Sequence, residues 1–119
     1  MPKPVYALVG EDSFLQTQQL SAIIETLPPG VQRMDFDGQT AELAEVLDEL
    51  RSFAMFGPGK LVTVRNADEF VSRYRDQMEN YASQPAENST LILRFASLPK
   101  TQRSYKLIDK IGVIESCAP

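Results

Sequence analysis

The chain contains no histidine, which removes the commonest general base and the commonest transition-metal ligand. It has a single cysteine, Cys117, so an internal disulfide and a cysteine-built metal site are both excluded. That usage fits a reducing cytoplasm. Cationic excess is also missing. Twelve Lys and Arg stand against 16 Asp and Glu, for a net charge of −4 and a pI near 4.8. A whole-surface attraction to nucleic acid is therefore not expected. No apolar run approaches the ~20 residues needed to span a bilayer. The opening run is short and has no cleavage-like site after it, so it reads as a strand rather than a signal peptide.

What is present is a regular alternation. The 119 residues suit one domain, and 43% hydrophobic content is enough for a core. Val5-Tyr6-Ala7-Leu8-Val9 is continuously apolar, the pattern of a strand buried on both faces. Asp12 or Ser13 then caps a helix whose Leu20, Ile23, Ile24 and Leu27 fall on one face, ended by Pro28-Pro29-Gly30. Arg33-Met34-Asp35-Phe36-Asp37 alternates, which places it at a sheet edge with one wet face. Thr40 is the expected cap of a second helix, with its stripe at Leu43, Val46, Leu47 and Leu50.

Gly57-Pro58-Gly59 marks a turn before a third strand, Lys60–Arg65. Phe70, Val71, Tyr74, Met78 and Tyr81 predict one further helix. Thr90–Phe95 is a fourth strand, Tyr105, Ile108 and Ile111 a short helix, and Val113-Ile114 a fifth strand. The order βαβαβαβαβ requires parallel pairing with right-handed crossovers. The fold class is thus α/β: a five-stranded, mostly parallel, Rossmann-like sheet flanked by helices, in one domain over residues 1–119.

Such a sheet invites a nucleotide-binding reading, tested at the loop after the first strand. A phosphate loop needs G-x-x-x-x-G-K-[ST]. From Gly10, Leu15 stands at the second glycine and Gln16 at the lysine, and only Thr17 matches. Leucine disfavours the wrapped backbone, glutamine carries no charge, and Glu11-Asp12 add negative charge where phosphate would sit. Val64-Arg65-Asn66 lacks the acids that would hold magnesium. A receiver-type signalling domain shares the alternation, and Glu11, Asp12, Asp68 and Ser97 lie after the right strands. The acceptor aspartate that should close the third strand is absent, and Glu115-Ser116 replace the expected lysine. Degenerate nucleotide binding and a receiver role stay as alternatives. No catalytic residue, cofactor or metal is expected.

Asp35 and Asp37 share one face of a strand and read as the polar face of an edge rather than a cation site. Lys100, Arg103, Lys106 and Lys110 fall near one face of the last helix and its lead-in. They form a weak nucleic-acid candidate or a solvated face. Met55-Phe56, just before the Gly-Pro-Gly turn, is a poor place to hide two large apolar side chains; the pair either marks a partner site or folds back beneath the helix into the core. Phe53 continues the helical stripe from Leu50 better than Phe56 does.

The residues Val5–Leu15, a strand leading to Gly10, the acidic pair Glu11-Asp12 and a leucine-containing helix start, resemble the opening of the delta subunit of the bacterial DNA polymerase III clamp loader. Phe53-Ala54-Met55-Phe56-Gly57-Pro58-Gly59-Lys60 is similar to that family's short hydrophobic segment, turn and basic residue before a strand. The resemblance covers the whole chain as the family's N-terminal domain. It implies an AAA+-like, P-loop NTPase-related fold that has lost nucleotide binding, in a non-catalytic DNA replication module. It also implies that the hydrophobic pair enters a pocket on the ring-shaped sliding clamp. Met55 takes the family's leucine position, Phe56 keeps the phenylalanine, and Ala54 replaces a small polar residue. Arg51 stands where some members carry glutamine. The family's helical lid and collar domains have no counterpart in these 119 residues. The expectation is a fragment or truncated relative that binds a clamp, while assembly with other loader subunits belongs to a full-length chain.

Overall fold

The computed structural model describes residues 4–27, 30–51, 59–86, 89–98 and 103–116. Ten elements follow one another: β1 (Val5–Val9), α1 (Ser13–Glu25), β2 (Gln32–Asp37), α2 (Leu43–Arg51), β3 (Lys60–Arg65), α3 (Ala67–Arg73), α4 (Arg75–Ser83), β4 (Ser89–Phe95), α5 (Arg103–Ile111) and β5 (Val113–Ser116). The strands form one sheet in the order β2-β3-β4-β1-β5, and every pairing is parallel. Because the strands share a direction, the sheet has two distinct rims. Helices enter strands at the rim where strands begin, and strands leave into helices at the rim where they end.

The order itself decides one alternative. A receiver-type sheet runs 2-1-3-4-5, with the first strand between the second and third. Here β1 lies between β4 and β5. The receiver reading therefore fails on topology.

The continuously apolar strands are central and the alternating one is at the edge, as burial on two faces against one requires. Val5, Ala7, Val62, Val64, Leu91, Leu93 and Phe95 face the larger core. There they meet Val46 and Leu50 of α2, Phe70 and Val71 of α3, Met78 and Tyr81 of α4, and Ile108 of α5. The smaller core, on the opposite face, joins Tyr6, Leu8, Leu61 and Ile92 to Ile23, with Leu15, Leu20, Ile24 and Leu27 partly buried around them. One helix covers this face and four cover the other. At the α5–β5 turn a Cβ on Gly112 would lie 1.9 Å from the Val5 carbonyl oxygen, so only glycine lets that turn press against β1.

Asp12 is the N-cap of α1: its Oδ1 accepts from the N–H groups of Phe14 (3.0 Å) and Leu15 (3.1 Å). Thr40, expected to cap α2, does not. Asp37 Oδ1 accepts from Gln39 N–H, and the Asp37 carbonyl accepts from Thr40 and Ala41, which holds these residues in a turn and delays the helix to Leu43. The single helix predicted through Phe70 and Tyr81 is two helices, broken at Tyr74 (φ −119°, ψ 39°). Tertiary contacts override the local pattern there. Tyr74 stacks edge-on against Phe70 at 5.2 Å, its hydroxyl reaches Glu42, and neighbouring Arg73 donates to the Gly38 carbonyl at 2.7 Å.

Candidate functional site

Phe53, Ala54, Met55 and Phe56 lie outside the described residues, as does Lys100. The structure does define what flanks the hydrophobic quartet. α2 spends its apolar stripe on the core: Val46 and Leu50 are buried, and Leu43 and Leu47 pack against them. At the end of that helix the Leu50 carbonyl accepts from the Ser89 hydroxyl of β4, and the Arg51 guanidinium lies 5.8 Å above the Tyr81 ring. On the far side β3 opens with Lys60, whose Nζ is 2.8 Å from Glu49 Oε2 of α2. Both side chains are largely buried, at 13% and 25% exposure. The ends of the connection that carries the quartet are thus tied together, and to the sheet, at the rim where strands begin.

The opposite rim holds the would-be phosphate loop. Gly10 adopts φ 142°, a conformation glycine tolerates, and its N–H donates to the Phe95 carbonyl at 3.0 Å, joining the ends of β1 and β4. Gln16, at the lysine position of a phosphate loop, is buried, and its amide points back into the protein. Nε2 donates to the carbonyls of Gly10 (2.8 Å) and Phe95 (3.0 Å), with a longer contact to Leu8 (3.4 Å). Oε1 accepts from Arg94 Nε at 2.9 Å. Carbonyls cannot donate and a guanidinium cannot accept, so one amide orientation satisfies all these partners. The lysine position is occupied by a neutral group that is fully used internally.

Asp68 and Asp37 on this rim have structural roles. Asp68, in the first turn of α3, accepts from the N–H groups of Ala96 and Ser97, so it is brought against Ser97 as a bracket between α3 and the end of β4. Asp37 Oδ1 accepts from Asn66 Nδ2 and Gln39 N–H, and these bonds, Asn66 first, hold its carboxyl below the usual aspartate range. Asp35 is exposed on the same edge strand. Among the described residues no group of three His, Cys, Asp or Glu side chains is placed to hold a metal ion. On α5, Arg103 is paired with Glu79 at 2.8 Å, and Lys106 and Lys110 are exposed alongside Asp109. That mixture describes a solvated face.

Sequence reading singled out Gln16 only for the charge it lacks. Its hydrogen bonds to Arg94 and Phe95 join residues 78 and 79 positions away, which no local pattern signals. The Glu49–Lys60 pair was likewise missed, although a basic residue opening a strand after a turn was visible.

No curated protein matches the chain. Among solved structures it is similar to the Bacillus subtilis DNA clamp loader delta protein (YqeN), with a TM-score of 0.80 and 19% identity over 98% of this chain. The match spans only 39% of that protein's own length. At that identity the likeness shows the fold, an all-parallel α/β sheet flanked by helices. The family described as DNA polymerase III, delta subunit, matches residues 6–118, nearly the whole chain, and the chain therefore belongs to that family.

Proposed function

We propose that this chain is a non-catalytic module of the DNA polymerase III clamp loader that binds the sliding clamp and favours its opening. Met55 and Phe56 are its anchor, with Phe53 and Ala54 beside them. The observation that carries this reading is the place of the quartet within a member of the delta family. It lies on a connection between α2 and β3 whose two ends are fixed by the partly buried Glu49–Lys60 pair, after a helix whose own apolar stripe is already consumed by the core. Preset ends lower the ordering cost of docking a short hydrophobic segment.

Burying Met55 and Phe56 supplies about 3–6 kcal/mol. Micromolar binding requires about 8 kcal/mol, so neighbouring contacts contribute the remainder. Tighter binding to an opened ring than to a closed one would open the clamp by population shift, with no hydrolysis by this subunit. The 1–119 unit is read as one AAA+-like domain, and contacts with other loader subunits belong to the longer chain. The cytoplasm is the compartment this role implies. DNA contact through Lys106, Lys110 and their neighbours is at most weak.

Calorimetric titration of the 119-residue chain with the sliding clamp of its own organism tests the proposal. The wild type is expected to bind at micromolar concentrations, and Met55→Ala/Phe56→Ala to lose at least a hundredfold. Equal binding by wild type and variant would overturn the assignment of the pair, and absent binding would overturn clamp engagement itself.

A further inference from the structure

In the sheet order β2-β3-β4-β1-β5 the connection from β1 runs back towards β2, whereas those from β2, β3 and β4 run forward, so the order reverses between β1 and β4. At such switch points a parallel sheet opens a crevice beyond the ends of its strands. Here that crevice is about 410 Å³ and is lined by Gly10, Glu11, Gln16, Arg65, Asn66 and Arg94, among others. Val64 and Leu93 are paired across β3 and β4, so Arg65 and Arg94 follow them one step on, side by side at the two strand ends.

These two guanidiniums differ from the other polar groups of the rim. Arg94 gives its Nε–H to Gln16, which fixes the plane of the group, while its two terminal nitrogens have no protein partner among the described residues. Arg65 is exposed and has no side-chain hydrogen bond or ion pair among them. A guanidinium held through Nε, with its terminal fork open, is arranged to receive an oxyanion in bidentate fashion. Two like charges on adjacent strands also repel unless something lies between them.

The nearby carboxylates do not supply that bridge. Both oxygens of Asp68 accept from Ala96 and Ser97; Asp37, the register partner of Arg65 on β2, is influenced by its charge but hydrogen-bonded by Asn66; and Glu11 is exposed at the mouth. The first N–H groups of α1 are already taken by Asp12.

We infer that the Arg65–Arg94 pair is an oxyanion site for a phosphate group, whose several acceptor oxygens can meet two guanidiniums at once. It adjoins the loop after β1, whose lysine position Gln16 fills, but is built from the ends of β3 and β4.

The test is titration of the chain with inorganic phosphate at constant ionic strength, following the Arg65 and Arg94 Nε–H resonances by NMR. Saturable shifts with a Kd of about 1 mM are expected for this small ligand. Arg65→Gln, at an exposed position that leaves the fold intact, is expected to weaken binding about tenfold. Glu11→Gln is expected to tighten it about threefold, because one opposing charge at the mouth is removed. Parallel arms with Mg-ATP and with acetate identify the source. Saturation by phosphate or ATP at these resonances supports the site. Saturation by acetate alone, no saturable shift to about 20 mM phosphate, or undiminished binding by Arg65→Gln would overturn it.

Discussion

The two rims of the sheet are held in different ways. Where strands end, backbone and side chain are cross-tied: Gly10 to Phe95, Gln16 to three carbonyls and to Arg94, Asp68 to Ala96 and Ser97, and Asp37 to Asn66. Where strands begin, the ties beside the quartet include the Glu49–Lys60 ion pair, the Ser89 hydroxyl on the Leu50 carbonyl, the Arg51 guanidinium over the Tyr81 ring and the Gln32 N–H on the Gly59 carbonyl. A rim that elsewhere serves nucleotides is here fixed by the protein's own groups. On the rim carrying the hydrophobic quartet, the described ties lie at the base of that connection. At the end of β1, internal hydrogen bonds organise the position where a phosphate loop would carry its lysine.

The contrast can be broken from either side. Gln16→Leu keeps the bulk but strands the Gly10 and Phe95 carbonyls and the Arg94 Nε–H. Unfolding in urea should show a loss of about 2–3 kcal/mol. A cost below about 0.5 kcal/mol would mean that the strand ends do not depend on this residue. Gln16→Lys should not restore nucleotide binding, because Leu15 still occupies the second glycine position. A thermal shift with Mg-ATP in that variant beyond any shown by the wild type would contradict this.

Lys60→Met, on the other rim, should cost about 1 kcal/mol, since a partly buried pair gives little net stability. A double-mutant cycle with Glu49→Gln isolates the coupling, which should shrink as salt is raised. If the pair presets the quartet, Lys60→Met should also weaken clamp binding about threefold, whereas Gln16→Leu should leave it within about twofold. The reverse ranking would place the functional rim on the wrong side.

The smallest effect concerns Asp37. Its carboxyl titrates below the ordinary aspartate value in the folded state, chiefly because Asn66 donates to it. A depressed folded-state pKa contributes stability above the unfolded-state pKa and loses it as pH falls through the folded one. Asn66→Ala should therefore move the Asp37 titration, followed by NMR, upward towards the ordinary value. The acid limb of stability should shift with it, in the region below about pH 4. An unmoved titration would assign the depression to Gln39 N–H or Arg65 instead.

The alternation of elements was legible because burial on both faces writes itself as an apolar run, and one-sided burial as a period of two or 3.6. Val5–Val9, Lys60–Arg65 and Thr90–Phe95 are central strands for that reason, and Arg33–Asp37 lies in an edge strand. The sequence also showed that the phosphate loop is broken at Leu15 and Gln16, and it set out the hydrophobic quartet at 53–56. Tertiary structure alone decided the rest. Strand order follows from which edges pair across the chain, and it excluded the receiver arrangement. The break at Tyr74 and the late start of α2 come from contacts with Phe70, Glu42 and Asp37 that outweigh local propensity. What became of the lysine position was decided by Arg94 and Phe95, nearly 80 residues away. Hydrogen bonds of that reach form only once the sheet has brought its strand ends together, so single-residue identity reveals the missing charge but not the network that replaced it.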